Sequence, residues 1–406
     1  MARRLGGFDS WLIGVAAMLG AGVFVVFGPA FGLAGGWLWF AVLLAGVIAA
    51  LNATSVAWLA QRFPLSGAGY RYSTEVLGPT AGFTTGLAFL VGKSASVAAA
   101  ALVIAGSVST IATGWFAVGV ISVSVLLNYF GITATARGVR YLAFPSLVVL
   151  IALLAALQIA APATQTTEVS TGSAPDIAGI FTATGLLFFA FAGYARIATL
   201  AGEVNKPASN VPRAMLAALG AVLVVYLGFA LALPATLGAG LATSDNAVLA
   251  AATQLGEPWP TLVRTILLLA AGAALLVLLA GLGRTAEVMA GDGELPKHLT
   301  RKSRFGSPWL AEGLFGGLAA LIALAGQVVF AISVSAVLVL IYYGFAHLAV
   351  LRRSQNWLPR LVAAPGLLLC LTAALSLEAH TVALAIAMLI VAVTFRAAIA
   401  KMRRVD

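Results

Sequence analysis

Long apolar runs separated by short polar segments repeat along the chain. A lipid-spanning helix needs about 20 predominantly apolar residues. On that measure the pattern predicts twelve spans, near residues 10–33, 37–60, 80–107, 112–130, 139–161, 177–201, 212–234, 261–286, 309–325, 328–350, 359–376 and 380–398. Two runs are interrupted by glycine at their middles. The first reads GVAAMLGAGVF over 14–24, centred on Gly20, Ala21 and Gly22, and the second reads FFAFAGYARIA over 188–198, with Ala192 and Gly193. An unpaired peptide group costs several kcal/mol in hydrocarbon, so an unwound stretch must lie inside protein or face a water-filled or ligand-filled cavity. Paired breaks near mid-membrane point to a solute site.

Composition gives the same class. With 62% hydrophobic residues and a mean hydropathy of +1.05, a soluble globule would have more apolar surface than it could bury. The lone cysteine, Cys370, excludes an intramolecular disulfide and argues against a thiolate-ligated metal. The apolar segment after Arg4 outruns the core of a signal peptide and reads as a retained first span. Charge supplies the orientation. Arg3, Arg4, Arg62, Arg71, Arg137, Arg140, Lys206, Arg213, the group from Lys297 to Arg304, Arg352, Arg353, Arg360, Lys401, Arg403 and Arg404 all fall on one side of the predicted membrane. The opposite loops carry Glu168, Asp176, Asp245, Glu257 and Glu378 and no lysine or arginine. The positive-inside bias therefore makes both termini cytoplasmic. The net charge of +10 is mostly this topology signal, and a nucleic-acid partner would need a basic soluble domain that the pattern lacks.

Five spans is an odd number, so spans one and six run in opposite directions. Residues 1–161 and 177–350 can then be inverted copies of one five-helix unit, with 359–398 as two accessory helices. Four stretches carry a family resemblance: MLGAGVF at 18–24, FPLSGAGYRYSTEVLGP at 63–79, FFAFAGYARIATLAGEVNKPASNVPRAM at 188–215 and GLGRTAEVMAGDGELPKHL at 281–299. In this order they resemble motifs of the amino acid-polyamine-organocation permeases, over about residues 8–310. The resemblance implies an all-α polytopic membrane protein with a LeuT-like 5+5 inverted repeat, alternating access, and amino acids or related amines as cargo. It implies no cofactor.

Helix polarity assigns the ends of such a cargo. Free N–H groups favour a carboxylate and free carbonyls an ammonium. Gly20, Ala21, Gly22 and Val23 are therefore candidates for the carboxylate, and the carbonyls of Phe189, Ala190 and Ala192 for the amino group. Ala17, Met18, Gly193 and Tyr194 flank them, and the resemblance implies that Lys93 and Ser96 lie in span three where relatives turn side chains toward the substrate. By the resemblance Phe189 is an aromatic lid over the substrate. The competing explanation is small-residue packing, which is common in membrane helices.

Departures from the family pattern sharpen the expectation. Many relatives carry an acid directly after the second break, where this chain has Ala195 followed by Arg196. None of the 13 acidic residues is expected at mid-membrane. A dibasic side chain would lack a counter-charge there, which disfavours lysine, arginine and polyamines as cargo. Lys93 lies deep in span three, where an ammonium is costly unless hydrated or paired. It is a candidate proton carrier, a partner for a substrate anion, or a static ammonium that binds helix-end carbonyls or snorkels. Span eight, from Ile266 to Gly283, offers no serine or threonine hydroxyl for sodium. Ser146 falls where proton-coupled relatives place a lysine. Arg196 and Glu203 are candidates for an inner gate, with Glu287 or Asp9 as further partners for Arg196.

Other features read as structural. Asp9-Ser10 looks like a helix N-cap, Gly291–Glu294 only superficially like a calcium loop, and Pro207 and Pro212 like the end of span six and the start of span seven. His298, His347 and His380 have no metal-site spacing. The sequence thus predicts a secondary transporter of neutral amino acids in a bacterial inner membrane, by proton coupling or exchange and without sodium. The alternatives are a carrier of acidic amino acids or other organic anions, and a non-transporting sensor. An embedded enzyme would need a nucleophile with a base, or a metal triad, and neither is evident.

Overall fold

The computed structural model describes residues 6–63, 67–108, 112–131, 136–160, 176–195, 197 and 204–402. The expected first span is built from three helices, α1 (Gly7–Met18), α2 (Gly22–Val25) and α3 (Phe27–Ala34). There follow α4 (Leu38–Arg62), α5 (Ala68–Leu77), α6 (Pro79–Val108), α7 (Thr113–Tyr129), α8 (Ala136–Ala160) and α9 (Ile177–Phe191). The second half continues with α10 (Pro207–Leu237), α11 (Ala247–Leu255), α12 (Trp259–Gly291), α13 (Trp309–Leu324), α14 (Val328–Arg353), α15 (Trp357–Leu375) and α16 (Ala379–Met402). Among the described residues, 8 helical stretches are long and apolar enough to cross a membrane, and the apolar helices Thr113–Tyr129, Phe144–Ala160, Ile177–Phe191 and Trp309–Leu324 are shorter. This is a multi-pass membrane architecture, in which each helix satisfies its own backbone away from water.

The packing relations come in exchangeable pairs. α1 packs on α8 and α10, and α9 packs on α14 and α4. α8 also meets α12, while α14 meets α6; α7 lies on α6 and α12, while α13 lies on α12 and α6. The short helix α5 rests on α6, and α11 rests on α12. Exchanging α1 with α9, α4 with α10, α5 with α11, α6 with α12, α7 with α13 and α8 with α14 maps each of these contacts onto another. α6, α14 and the Gly7–Val25 stretch are the most buried of the long helices, whereas α15 and α16 are mostly exposed on the outside of the bundle. Ser96 Oγ and Ser335 Oγ bond across the α6–α14 seam at 2.7 Å.

Ion pairs join one face of the molecule. Arg71 on α5 reaches Asp292 Oδ1 at 2.9 Å, and Tyr70 Oη donates to Asp292 Oδ2 at 2.8 Å. Burial and the Asp292 carboxylate push the Tyr70 phenol upward, so it remains a donor. Arg396 on α16 grips both oxygens of Glu294 at 2.5 and 2.6 Å, and Lys302 pairs with Glu287 at 2.8 Å. The Gly291–Glu294 stretch is therefore an anchoring point for α5 and α16. Glu287 already has Lys302 as partner.

Three local expectations are corrected. Gly6, not Asp9 or Ser10, is the cap of α1: Asp9 sits one turn in, its Oδ2 accepting the Gly6 N–H at 3.2 Å, while Ser10 Oγ donates to the Gly6 carbonyl at 2.9 Å. A carboxylate in the first turn suits the helix dipole from there as well. α10 begins at Pro207 and runs through Pro212, so the second proline lies inside the helix rather than opening it. Glu312 is an acid within a predicted span: it lies in the first turn of α13, buried at 1% exposure, and accepts from Ser307 Oγ at 3.0 Å. That turn favours a carboxylate at a helix start.

Candidate functional site

At the first break, α1 closes with the Leu19 N–H on the Val15 carbonyl at 2.9 Å; Gly20 and Ala21 lie outside the helices, and the helix resumes at Gly22. At the second, α9 stops at Phe191 and tightens, the Ala192 N–H reaching the Phe189 carbonyl at 3.3 Å, and residues 192–194 turn. Both interruptions fall where the glycines predicted them.

The breaks lie against each other. A Cβ on Gly193 would run into the Ala17 carbonyl and stand 2.8 Å from the Met18 nitrogen. A Cβ on Gly22 would stand 2.8 Å from Ala190 Cα and 3.3 Å from the Phe189 ring. Glycine is required at these two positions by backbone approach. Met18, Gly20, Ala21, Gly22, Val23, Ala190 and Tyr194 are buried, whereas Ala17, Phe189, Ala192, Gly193 and Ala195 keep some accessible surface. Gly20 faces Ala274 of α12, a Cβ there being 3.5 Å from the alanine methyl.

Two side chains reach into the junction from other helices. Tyr226 of α10, fully buried, donates to the Met18 carbonyl at 2.7 Å and lies 3.3 Å from the Ala190 carbonyl. Phe191 and Phe27 brace its ring edge-on, with centroids 4.9 and 5.9 Å away. Lys93 is the fifteenth residue of the 30-residue α6, and its Nζ donates to the Ala192 carbonyl at 3.4 Å. The helix ends lie about 22 Å away at 1.5 Å per residue. That is beyond a four-carbon stem, so Lys93 does not snorkel. Among the described residues no carboxylate pairs with it.

The other candidates fall further out or outside the described residues. Ser96 is buried and bonds to Ser335, one turn along α6 from Lys93. Ser146 is buried in α8, the helix packed against α1 and α12. Arg196 and Glu203 lie outside the described residues.

The family model described as amino acid permease matches residues 9–404. This chain belongs to the amino acid permease family. An uncharacterized transporter of Mycobacterium tuberculosis is 38% identical over 396 residues, covering 96% of this permease and 89% of that protein. The branched-chain amino acid permease of Bacillus subtilis is 24% identical over 398 residues, 90% of this chain and 84% of its own. The methylthioribose transporter of the same organism is 25% identical over 352 residues, 79% and 76% of the two chains. The permease is thus a membrane transporter of amino acids or related organic compounds.

Sequence reasoning missed Tyr226 and a second polar cluster. Behind Tyr194, whose ring stacks on Tyr343 at 5.6 Å, His347 of α14 bonds Ser55 Oγ through Nδ1 at 2.9 Å and Asn52 Oδ1 through Nε2 at 2.6 Å. Asn52 Oδ1 also accepts from the Cys370 thiol at 3.1 Å. Because a carbonyl oxygen only accepts, Nε2 carries the hydrogen and Nδ1 receives the serine's. Their spacings in sequence, 292 to 318 residues, gave no local signal.

Proposed function

We propose that this permease moves small or medium neutral amino acids across a bacterial cell membrane by alternating access, with both termini cytoplasmic. Twelve spans arranged as two inverted five-helix units plus two accessory helices are the corresponding architecture; the paired packing relations of the two halves support it. One observation carries the functional reading: two unwound segments, each inside an apolar helix, meet with the Gly193 backbone on the Ala17 carbonyl. Irregular backbone at such depth belongs to substrate sites. A relative named for branched-chain amino acids agrees with an uncharged side chain, and one named for methylthioribose extends the range beyond amino acids.

Proton coupling or exchange, not sodium, accompanies the cycle. Span eight faces Gly20 with Ala274, and its hydroxyl-free stretch from Ile266 to Gly283 supports this. A carrier of organic anions is the second reading, favoured by the Lys93 ammonium on the Ala192 carbonyl. The test is uptake and counterflow of a labelled amino acid panel in proteoliposomes, with and without a pH gradient, and with choline replacing sodium. Uptake of alanine, leucine or valine that survives sodium removal is expected. Strict sodium dependence would overturn the coupling assignment, and binding without movement would favour a sensor.

A further inference from the structure

We propose that Lys93 fills the amine end of the transport site, so that the carrier takes a 2-oxo acid at least as well as the amino acid with the same side chain. The inference rests on the breaks being the transport site, and adds the substrate class.

The carbonyls that an incoming ammonium could use already have donors or neighbours. Ala192, the first residue past α9, offers its carbonyl to Lys93 Nζ at 3.4 Å. The Met18 and Ala190 carbonyls share the Tyr226 hydroxyl at 2.7 and 3.3 Å. The Ala17 carbonyl abuts the Gly193 backbone. A helix C-terminal end favours a cation, and here the protein supplies one from α6. An amino acid that shares this carbonyl brings its ammonium against the Nζ charge, whereas a 2-oxo acid has no such demand.

Charge balance points the same way. Position 195, beside the second break, is alanine, and among the described residues no carboxylate pairs with Lys93. A zwitterion leaves the occupied site with the full charge of the lysine. A monocarboxylate without an amine neutralises it, which matters because an uncompensated charge in low dielectric is expensive. Lys93, Phe189, Ala192 and Gly193 are only partly buried, unlike the fully buried Met18, Val23 and Tyr194 around them.

The experiment uses the full chain in proteoliposomes and two matched pairs, L-alanine with pyruvate and L-leucine with 4-methyl-2-oxopentanoate. Wild type is expected to show a KM for the oxo acid equal to or below that for its amino acid. Lys93→Met should move the ratio at least about tenfold toward the amino acid, and Lys93→Arg, which keeps a cation, should leave it within about twofold. A wild-type KM for the oxo acid more than about twofold above that for its amino acid overturns the proposal, as does an unchanged ratio in Lys93→Met. The wild-type ratio decides the matter even where Lys93→Met fails to fold. If wild type moves and binds none of the four compounds, the amino acid reading falls and takes this proposal with it.

Discussion

Tyr226→Phe deletes one oxygen from the centre of the molecule and little else. The ring keeps its edge contacts with Phe191 and Phe27, so no cavity of the kind that makes Tyr→Ala uninformative is created. What is lost is the donor to the Met18 carbonyl at 2.7 Å and the weaker contact to Ala190 at 3.3 Å. Met18 ends α1, and its carbonyl has no next helical turn to turn to. A buried acceptor stripped of its donor costs about 1–3 kcal/mol, and the longer bond adds a fraction of that. The sum is about 2 kcal/mol, roughly thirtyfold in any equilibrium that needs the two breaks held together. The variant should therefore unfold at lower temperature in detergent, and, on the proposal that the breaks hold the substrate, its KM in proteoliposomes should rise because those segments are no longer pre-set. Thermal unfolding followed on the purified protein and initial uptake rates over a substrate series measure the two effects. An unchanged melting temperature together with an unchanged KM would refute the reasoning, since the two carbonyls would then not depend on the hydroxyl.

Three further outcomes follow from the geometry. Gly193→Ala should abolish uptake, because its Cβ meets the Ala17 backbone, while Gly106→Ala, with nothing within 4 Å of its Cβ, should be neutral or stabilising by about 0.5–1 kcal/mol; expression-normalised uptake and thermal unfolding separate the two. Asn52→Leu leaves the His347 Nε2–H and the Cys370 thiol without their acceptor and should cost about 1–3 kcal/mol of stability, read by thermal unfolding in detergent. Arg396→Ala releases Glu294 from a two-pronged grip in which both side chains are less than a quarter exposed, at about 1 kcal/mol. A double-mutant cycle with Glu294→Gln isolates that interaction.

The breaks were legible because lipid removes alternatives: an apolar run interrupted by Gly20-Ala21-Gly22 or Ala192-Gly193 can unwind only where something receives the backbone. Lys93 was legible as an anomaly for the same reason. Its partner was not, since nothing in the sequence says that a span-three lysine meets the carbonyl of Ala192, 99 residues on. Tyr226 read as one more aromatic in an apolar helix. Its meaning comes from Met18, 208 residues away, and appears only when α10 lies on α1. The Asn52–His347 pair was hidden likewise, by separation across the membrane bundle. Asp9 illustrates a smaller ambiguity, because a first-turn acid serves a helix start from the cap or from one turn inside it. Glu312 was overlooked because a run that is apolar overall masks one acid at its first turn.

The seclusion of Cys370 has a practical consequence. This thiol is fully buried and turned toward Asn52, and the chain has no other cysteine. Native protein should therefore be blind to maleimides and to spin or fluorescent labels. A cysteine introduced at an exposed position would report alone, with no background residue to remove first. The polar cluster around His347 would stay intact during every such measurement.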